Sequence, residues 1–175
     1  RRVVLADDPT GHTVEVTVRR QWVVVQADGV SITGFTMRHA ANEPQSGAIG
    51  NQSRSDFTLS DSRLSDTHGP IVSLGGGSNV KVLRTDLSRG GQEGISGYRN
   101  TNTLIQGNTI HGNNTEGFKP EWEGGGVKLV QFTNAVIDNN QVYDNNGPGL
   151  WCDIGCKSIA FTNNRIRDNL GPGVF

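Results

Sequence analysis

Apolar residues recur along this chain in three sets, and successive members of each set lie 23 or 24 residues apart over most of its length. The sets are Ile32, Leu59, Val82, Ile105, Ile137 and Phe161; Met37, Leu64, Leu87, Ile110, Val142 and Ile166; and Ile49, Val72, Ile95, Val127, Leu150 and Val174. Longer steps of 27 and 32 residues indicate two insertions into this repeat. A constant period of this size is typical of a solenoid built from one repeated supersecondary unit.

Each repeat holds three short alternating segments separated by turns of Gly and Asn, a pattern typical of β-strands. Such strands cannot bury a face alone, but stacked coils pair their backbones about 4.8 Å apart and align equivalent residues in rows. We therefore predict an all-β parallel solenoid of about six to seven coils, in which turn Asn side chains hydrogen bond along the axis. The two Asn rows are Asn108, Asn140, Asn164 and Asn113, Asn145, Asn169. A β-sandwich, the alternative fold, gives no reason for constant spacing.

The Asn turns "GNTIHGNN", "NNQVYDNN" and "NNRIRDN", together with "GPGL" and "GPGV", resemble the right-handed parallel β-helix superfamily. That superfamily includes pectate lyases, polygalacturonases and many carbohydrate-active proteins. The resemblance covers residues 23–175 and implies a right-handed parallel β-helix that acts on a poly- or oligosaccharide. It also implies an extracellular or cell-envelope location.

Both ends of the chain depart from the repeat. Residues 1–22 contain one alternating run, Val14, Val16 and Val18, and we expect an irregular coil or cap there. At the other end the sequence stops inside a repeat, at Phe175. Because exposed solenoid ends promote aggregation, we expect that the chain is truncated and that missing coils or a partner cover this end.

Charge and motif content exclude several classes of function. The chain has 16 basic and 17 acidic residues without a basic stripe, which argues against a nucleic-acid partner. The sequence contains no run of 18 apolar residues, so it predicts no membrane-spanning helix. The four His residues occupy unrelated positions and "GGGSNVK" lacks the rest of a phosphate loop, so we expect no metal and no cofactor. Cys152 and Cys156 form a free packed pair, a local disulfide or, least in keeping with their spacing, a metal site.

The candidate site lies where strand alternation directs side chains outward. Counting from the inward-facing Leu150, Trp151 and Asp153 face out, and Tyr98 and Lys128 occupy the same outer rows on earlier coils. The insertion 113–126, "NNTEGFKPEWEGGG", rises beside them. Aromatic faces stack on sugar rings while carboxylates and amines bind hydroxyls, so this surface is a predicted sugar cleft. Its predicted substrate-binding residues are Tyr98, Glu121, Trp122, Lys128 and Trp151.

A narrower resemblance bears on Asp153. The stretch "GLWCDIGCKSIAFTNNRIRDN" is similar to the segment that carries the nucleophile in the β-helix β-xylosidases, which are retaining glycosidases. By this resemblance Asp153 is the nucleophile, and the acid/base Glu falls two residues after Phe175. Neighbouring coils would hold two such carboxylates at about the 5–5.5 Å separation of retaining enzymes. A weaker alternative is that Glu123 or Glu121 reaches over from the insertion as the partner of Asp153.

These observations favour a retaining glycoside hydrolase with Asp153 and Glu123 as catalytic candidates. Three alternatives stay open at this point. A non-catalytic carbohydrate-binding or structural surface module would use the same aromatic residues, and a polysaccharide lyase would use Lys128. In the third alternative, Trp122 and Trp151 pack the insertion and bind no ligand, and Asp153 is a solvated acid at the end of a strand.

Overall fold

The computed structural model describes residues 3–175, and in it the chain winds into six coils of three short parallel strands. The first sheet contains β1 (Val23–Val25), β4 (Ile49–Gln52), β7 (Val72–Gly75), β10 (Glu93–Tyr98), β13 (Gly125–Val130) and β16 (Leu150–Asp153). The second contains β2 (Ser31–Thr33), β5 (Thr58–Ser60), β8 (Lys81–Leu83), β11 (Thr101–Gln106), β14 (Thr133–Asp138) and β17 (Lys157–Thr162). The third contains β3 (Thr36–Ala40), β6 (Arg63–Thr67), β9 (Asp86–Gly90), β12 (Thr109–His111), β15 (Gln141–Tyr143) and β18 (Arg165–Arg167). The helix α1 (Pro120–Glu123) lies between β12 and β13.

Strand register confirms the predicted rows. In the first sheet Ile95 pairs with Val72 on one side and with Val127 on the other, and Val127 pairs in turn with Leu150. The central members of the three apolar sets are buried in one continuous core. In the last coil Phe161 and Ile166 are partly buried, and Val174 is exposed. Both insertions lie in turns between sheets, so they leave the register of the flanking strands unchanged. The all-β parallel solenoid is thereby confirmed.

The two Asn rows form hydrogen-bonded ladders inside the turns. In the first, Asn108 Nδ2 donates to Asn140 Oδ1 at 3.0 Å, and Asn140 Nδ2 donates to Asn164 Oδ1 at 2.9 Å. Asn140 Nδ2 also donates to the carbonyl of Ile105 at 3.0 Å. The second ladder repeats this pattern through Asn145. Buried turn backbone is thus satisfied by side chains of the adjacent coil, which fixes the stacking distance.

In successive coils, a residue in the left-handed backbone conformation makes the bend between the second and third sheets. The residues there are Asp61, Arg84, Gly107, Asn139 and Asn163, with φ between 45° and 69°. Gly and Asn adopt this conformation readily, but Arg does not. Arg84 is held there by a two-pronged ion pair with Asp61 of the preceding coil, at 2.7 Å from both Nε and Nη2. The bend therefore follows from coil geometry as well as from residue type.

The N-terminal segment 3–22 contains no strand, and its Val14, Val16 and Val18 side chains are exposed. It joins the first coils through backbone hydrogen bonds, among them Ala41 N to the carbonyl of Arg19 at 2.8 Å. A boundary between a cap and the solenoid at residue 23 stays a prediction. Across the described residues, 3–175, no helix has the length and apolar character needed to cross a membrane.

Candidate functional site

A groove of about 630 Å³ runs across several coils on the outer face of the first sheet. Because parallel strands align equivalent residues, outward side chains of successive coils form its floor. The outward strand residues of this floor include Gln52, Ser73 and Ser96, and Gln45 of the turn before β4 also lines the groove. The charged residues that line the groove are Glu123, Lys128 and Asp153, all at one end. The groove is therefore a hydrogen-bonding channel with one charged end.

Lys128 is the centre of that charged end. Its side chain is only 7% exposed, and its Nζ lies 3.3 Å from Glu123 Oε1 and 3.3 Å from Asp153 Oδ2. The same ammonium donates a hydrogen bond to the carbonyl of Trp122. Since both carboxylate oxygens contact one nitrogen, they are no more than 6.6 Å apart. Strand pairing places Asp153 near Lys128, because β13 and β16 are neighbours in register: Lys128 pairs with Trp151, and Val130 pairs with Asp153.

The insertion brings Glu123 to the cluster from the opposite side. Buried Asn114 holds it, donating from Nδ2 to the carbonyls of Phe118 at 2.8 Å and Asn146 at 2.7 Å, and accepting from Phe118 N at 2.8 Å. Pro120 begins α1 and Glu123 ends it, so the short helix sets the direction of the Glu123 carboxylate. The sequence indicated the insertion but not this anchor.

Trp151 lies on the outer face as predicted, but it is not an open platform. Lys128 Nζ lies 4.0 Å from the centre of its ring, and the Phe175 ring packs against it with centroids 5.0 Å apart. Only 7% of the residue is exposed. The expectation of an accessible indole at this position is therefore wrong, because the cation and the neighbouring aromatic ring cover it.

The remaining predicted residues separate into two groups. Tyr98 lines the groove, is 47% exposed, and has the Arg99 guanidinium 4.8 Å from its ring centre. Trp122 is 72% exposed and contributes its carbonyl rather than its indole to the cluster. Glu121 lines a separate depression of about 300 Å³ beside Phe175. The structure thus brings Tyr98, Glu123, Lys128 and Asp153 to the lining of one groove, with Trp151 packed against Lys128, and places Glu121 elsewhere.

Glu93 was missed by the sequence analysis. It is the first residue of β10 and only 1% exposed, and neither of its carboxyl oxygens has a hydrogen-bond partner among the described residues. Burial raises the pKa of Glu93 to about 8, and the negative charge of Glu123 adds to the rise, opposed by nearby Ser96 and Lys128. The sequence did contain a signal: Glu93 lies two residues before the inward-facing Ile95, and strand alternation places residues two apart on the same face.

Cys152 and Cys156 form a disulfide, which decides among the three alternatives for this pair. The bridge closes a small loop that contains Asp153 and Ile154. Ile154 has φ of 44°, an unfavourable conformation for a β-branched residue. The loop therefore constrains the backbone next to the candidate nucleophile. Over residues 3–175 no three His, Cys, Asp or Glu side chains are grouped to hold a metal ion.

The family model described as a right handed beta helix region matches residues 46–175. The chain belongs to this right-handed β-helix family. Membership confirms the handedness expected from the Asn turns. No curated protein sequence matches this β-helix.

Three solved β-helix structures are similar in fold. XylC in complex with xylose has a TM-score of 0.80 at 20% identity, covering 94% of this chain and 33% of XylC. The enzymatically active domain of tailspike protein 2 from bacteriophage CBA120 has a TM-score of 0.62 at 10% identity, covering 81% and 21%. The A-module of mannuronan C-5 epimerase AlgE6 from Azotobacter vinelandii has a TM-score of 0.51 at 13% identity, covering 85% and 54%. At such identities the likeness shows the fold, and this β-helix spans about a third of XylC.

Proposed function

We propose that this β-helix binds a poly- or oligosaccharide along the groove of the first sheet and forms part of a retaining glycoside hydrolase. The observation that carries the proposal is the pair of carboxylates, Asp153 and Glu123, which contact the same Lys128 ammonium at 3.3 Å each at the charged end of the groove. Retaining glycosidases use two carboxyl groups about 5–5.5 Å apart.

Asp153 is the nucleophile in this proposal. Its carboxylate attacks the anomeric carbon as the bond to the leaving glycosidic oxygen breaks, and a carboxylic acid protonates that oxygen. Water then releases the sugar from Asp153, with the second carboxyl acting as base. Asp153 Oδ2 lies 3.3 Å from Lys128 Nζ, which fixes the position of the carboxylate at the end of the groove.

Glu123 is the acid/base candidate within the described residues. Its Oε1 lies 3.3 Å from the same Lys128 ammonium that contacts Asp153. The second candidate is the position two residues after Phe175. Because Leu150 pairs with Val174, that position would pair with Asp153 if the coil continues in register.

The similar structures support carbohydrate as the ligand class. One was solved with xylose, and another is an epimerase named for mannuronan. The uncharged polar floor of the groove offers amide and hydroxyl groups suited to sugar hydroxyls. We also propose an extracellular or cell-envelope location, since disulfides such as Cys152–Cys156 persist in oxidising compartments. The lack of a nucleic-acid partner and the covering of the C-terminal end stay predictions.

A second candidate is a carbohydrate-binding module without catalysis. Lys128 contacts both carboxylates, and a purely stabilising ion-pair network would show the same contacts. This observation favours a module in which the two acids stabilise the fold and do not react. A lyase would need a free base facing the groove, and the Lys128 ammonium is engaged by both acids.

The test compares Asp153→Asn with Asp144→Asn, a control at an exposed acid on the third-sheet side, in the full-length protein. Hydrolysis of xylo-, gluco- and uronate oligosaccharides is measured together with binding by calorimetry. The hydrolase proposal predicts a loss of turnover of more than a thousandfold in Asp153→Asn with binding retained, and no change in the control. Unchanged hydrolysis in Asp153→Asn would contradict it, and binding without hydrolysis by the unmodified protein would support the second candidate.

A further inference from the structure

Glu93 is a buried acid that the proposed reaction does not use. Its strand neighbour in register is Gly125 of β13, which provides no side chain to pair with the carboxyl. On the other side, β7 contains no ionisable residue. The carboxyl is therefore enclosed without a partner supplied by its own sheet rows, which is costly for a charged group.

Two charged groups act on Glu93, and both belong to the cluster at the end of the groove. Glu123 of α1 contributes negative charge, and Lys128 of β13 contributes positive charge. Ser96, from the same strand as Glu93, is the nearby neutral polar group and also lines the groove. Glu93 precedes Ser96 by three residues on β10, and Ser96 pairs in register with Lys128 on β13, so the buried carboxyl and the ammonium belong to adjacent strands of one sheet.

We propose that Glu93 is a positioning residue which, by remaining an uncharged carboxylic acid, leaves the Lys128 ammonium paired with Glu123 and Asp153. An ionised Glu93 would be a third carboxylate competing for one ammonium. The buried competitor, having no other partner, would draw Lys128 away from Asp153. This holds for the cluster itself, whichever ligand the groove binds.

The pH range of this effect follows from burial. With a pKa of about 8, Glu93 keeps its proton at neutral pH and loses it in mildly alkaline solution. Ionised Glu93 would then move Lys128 relative to the indole of Trp151. In the structure the Lys128 Nζ lies 4.0 Å from the centre of that ring. A displaced cation changes the environment of the ring, so Trp151 fluorescence reports on the position of Lys128.

The experiment uses Trp22→Phe/Trp122→Phe, which leaves Trp151 as the single tryptophan. Its emission is followed from about pH 6 to about pH 9.5, with and without Glu93→Gln, which keeps the shape of the side chain but cannot ionise. We expect a transition with a midpoint near pH 8 in the parent and none in Glu93→Gln. An identical transition in Glu93→Gln, or no transition in the parent, would overturn the proposal.

A second measurement needs no substitution. In the unmodified protein labelled with ¹³C at Glu carboxyls, the Glu93 resonance should titrate near pH 8, and a midpoint near its ordinary value of 4.5 would refute the proposal. Neither readout involves a glycan. Failure here is therefore distinguishable from failure of the proposed hydrolase function.

Discussion

The ammonium of Lys128 lies 4.0 Å from the centre of the Trp151 ring, on the neighbouring coil and in register with it. The same ammonium contacts the carboxylates of Glu123 and Asp153. One buried cation therefore links two coils and the insertion. Its removal should affect stability and the site together.

Lys128→Met tests this role, because Met keeps an apolar stem against Trp151 and removes the charge. Two carboxylates would then face each other without a cation, so we expect a loss of about 3–5 kcal/mol in the free energy of unfolding at neutral pH. The loss should shrink in acid, where carboxyl groups take up protons. Urea denaturation at neutral pH and at about pH 4 measures both values.

Lys119→Met is the matched control, since Lys119 is exposed in the same insertion. Its effect should stay within about 0.5 kcal/mol at either pH. Equal losses for the two variants would show that the Lys128 charge has no special role.

Glu93 makes stability depend on pH. The folded state holds its proton up to about pH 8, whereas the unfolded chain loses it near 4.5, so the folded state binds more protons between these values. The free energy of unfolding should therefore fall with rising pH across this window, by at most about 1.4 kcal/mol per pH unit. Glu93→Gln should match the unmodified protein below about pH 4.5 and be more stable above it, as measured by urea denaturation.

Glu116→Gln, at an exposed acid of the insertion, serves as the control for that series. Its stability should parallel that of the unmodified protein at every pH. A Glu93→Gln variant that does the same would mean that Glu93 is ionised in the folded state at neutral pH.

Asn140 is a central member of the first ladder. Its Oδ1 accepts from the backbone N and the Nδ2 of Asn108, and its Nδ2 donates to the Ile105 carbonyl. Asn140→Ala would leave these buried groups unpaired, and we expect a loss of about 3 kcal/mol by urea denaturation. Gln141→Ala, at the exposed neighbouring position, should cost less than about 0.5 kcal/mol. Similar losses in the two variants would argue against the ladder as a major stabilising feature.

The Cys152–Cys156 bridge closes a short loop with a sequence separation of 4. Loop-closure entropy for such a loop predicts that Cys152→Ser/Cys156→Ser lowers the free energy of unfolding by about 2 kcal/mol. Because the loop contains Asp153, amide hydrogen exchange at Asp153 and Ile154 should also accelerate. Unchanged exchange in the double variant would show that the loop is fixed by strand pairing alone.

The sequence was sufficient to predict the coil and its rows. An inward residue such as Ile95 must meet its equivalents Val72 and Val127, so burial repeats with the coil and is visible as a period. The Asn ladders were predictable for the same reason. Arg84 at a left-handed bend was not, because its conformation follows from the pairing of the coils, including Arg84 N to the carbonyl of Gln106, rather than from its own preference.

The site was predicted only in part, since its decisive contacts are not periodic. Outward alternation placed Lys128 and Asp153 correctly. It could not show that Lys128 covers Trp151, or that Asn114 directs the insertion so that Glu123 approaches and Glu121 does not. Glu93 was missed because no repeated row of the sequence contains an equivalent acid, since its register partner is Gly125.

The insertion that carries Glu123 leaves the solenoid after β12 and returns at β13 without shifting the pairing of Ile95 with Val127. The strand register of the scaffold thus does not depend on the insertion, although Glu123 contacts Lys128 of β13. Grafting a different segment between residues 114 and 124 would exchange one wall of the groove while the ladders stay intact. Under the proposed function, loop replacement of this kind should change which glycan the groove binds and leave the coil unchanged.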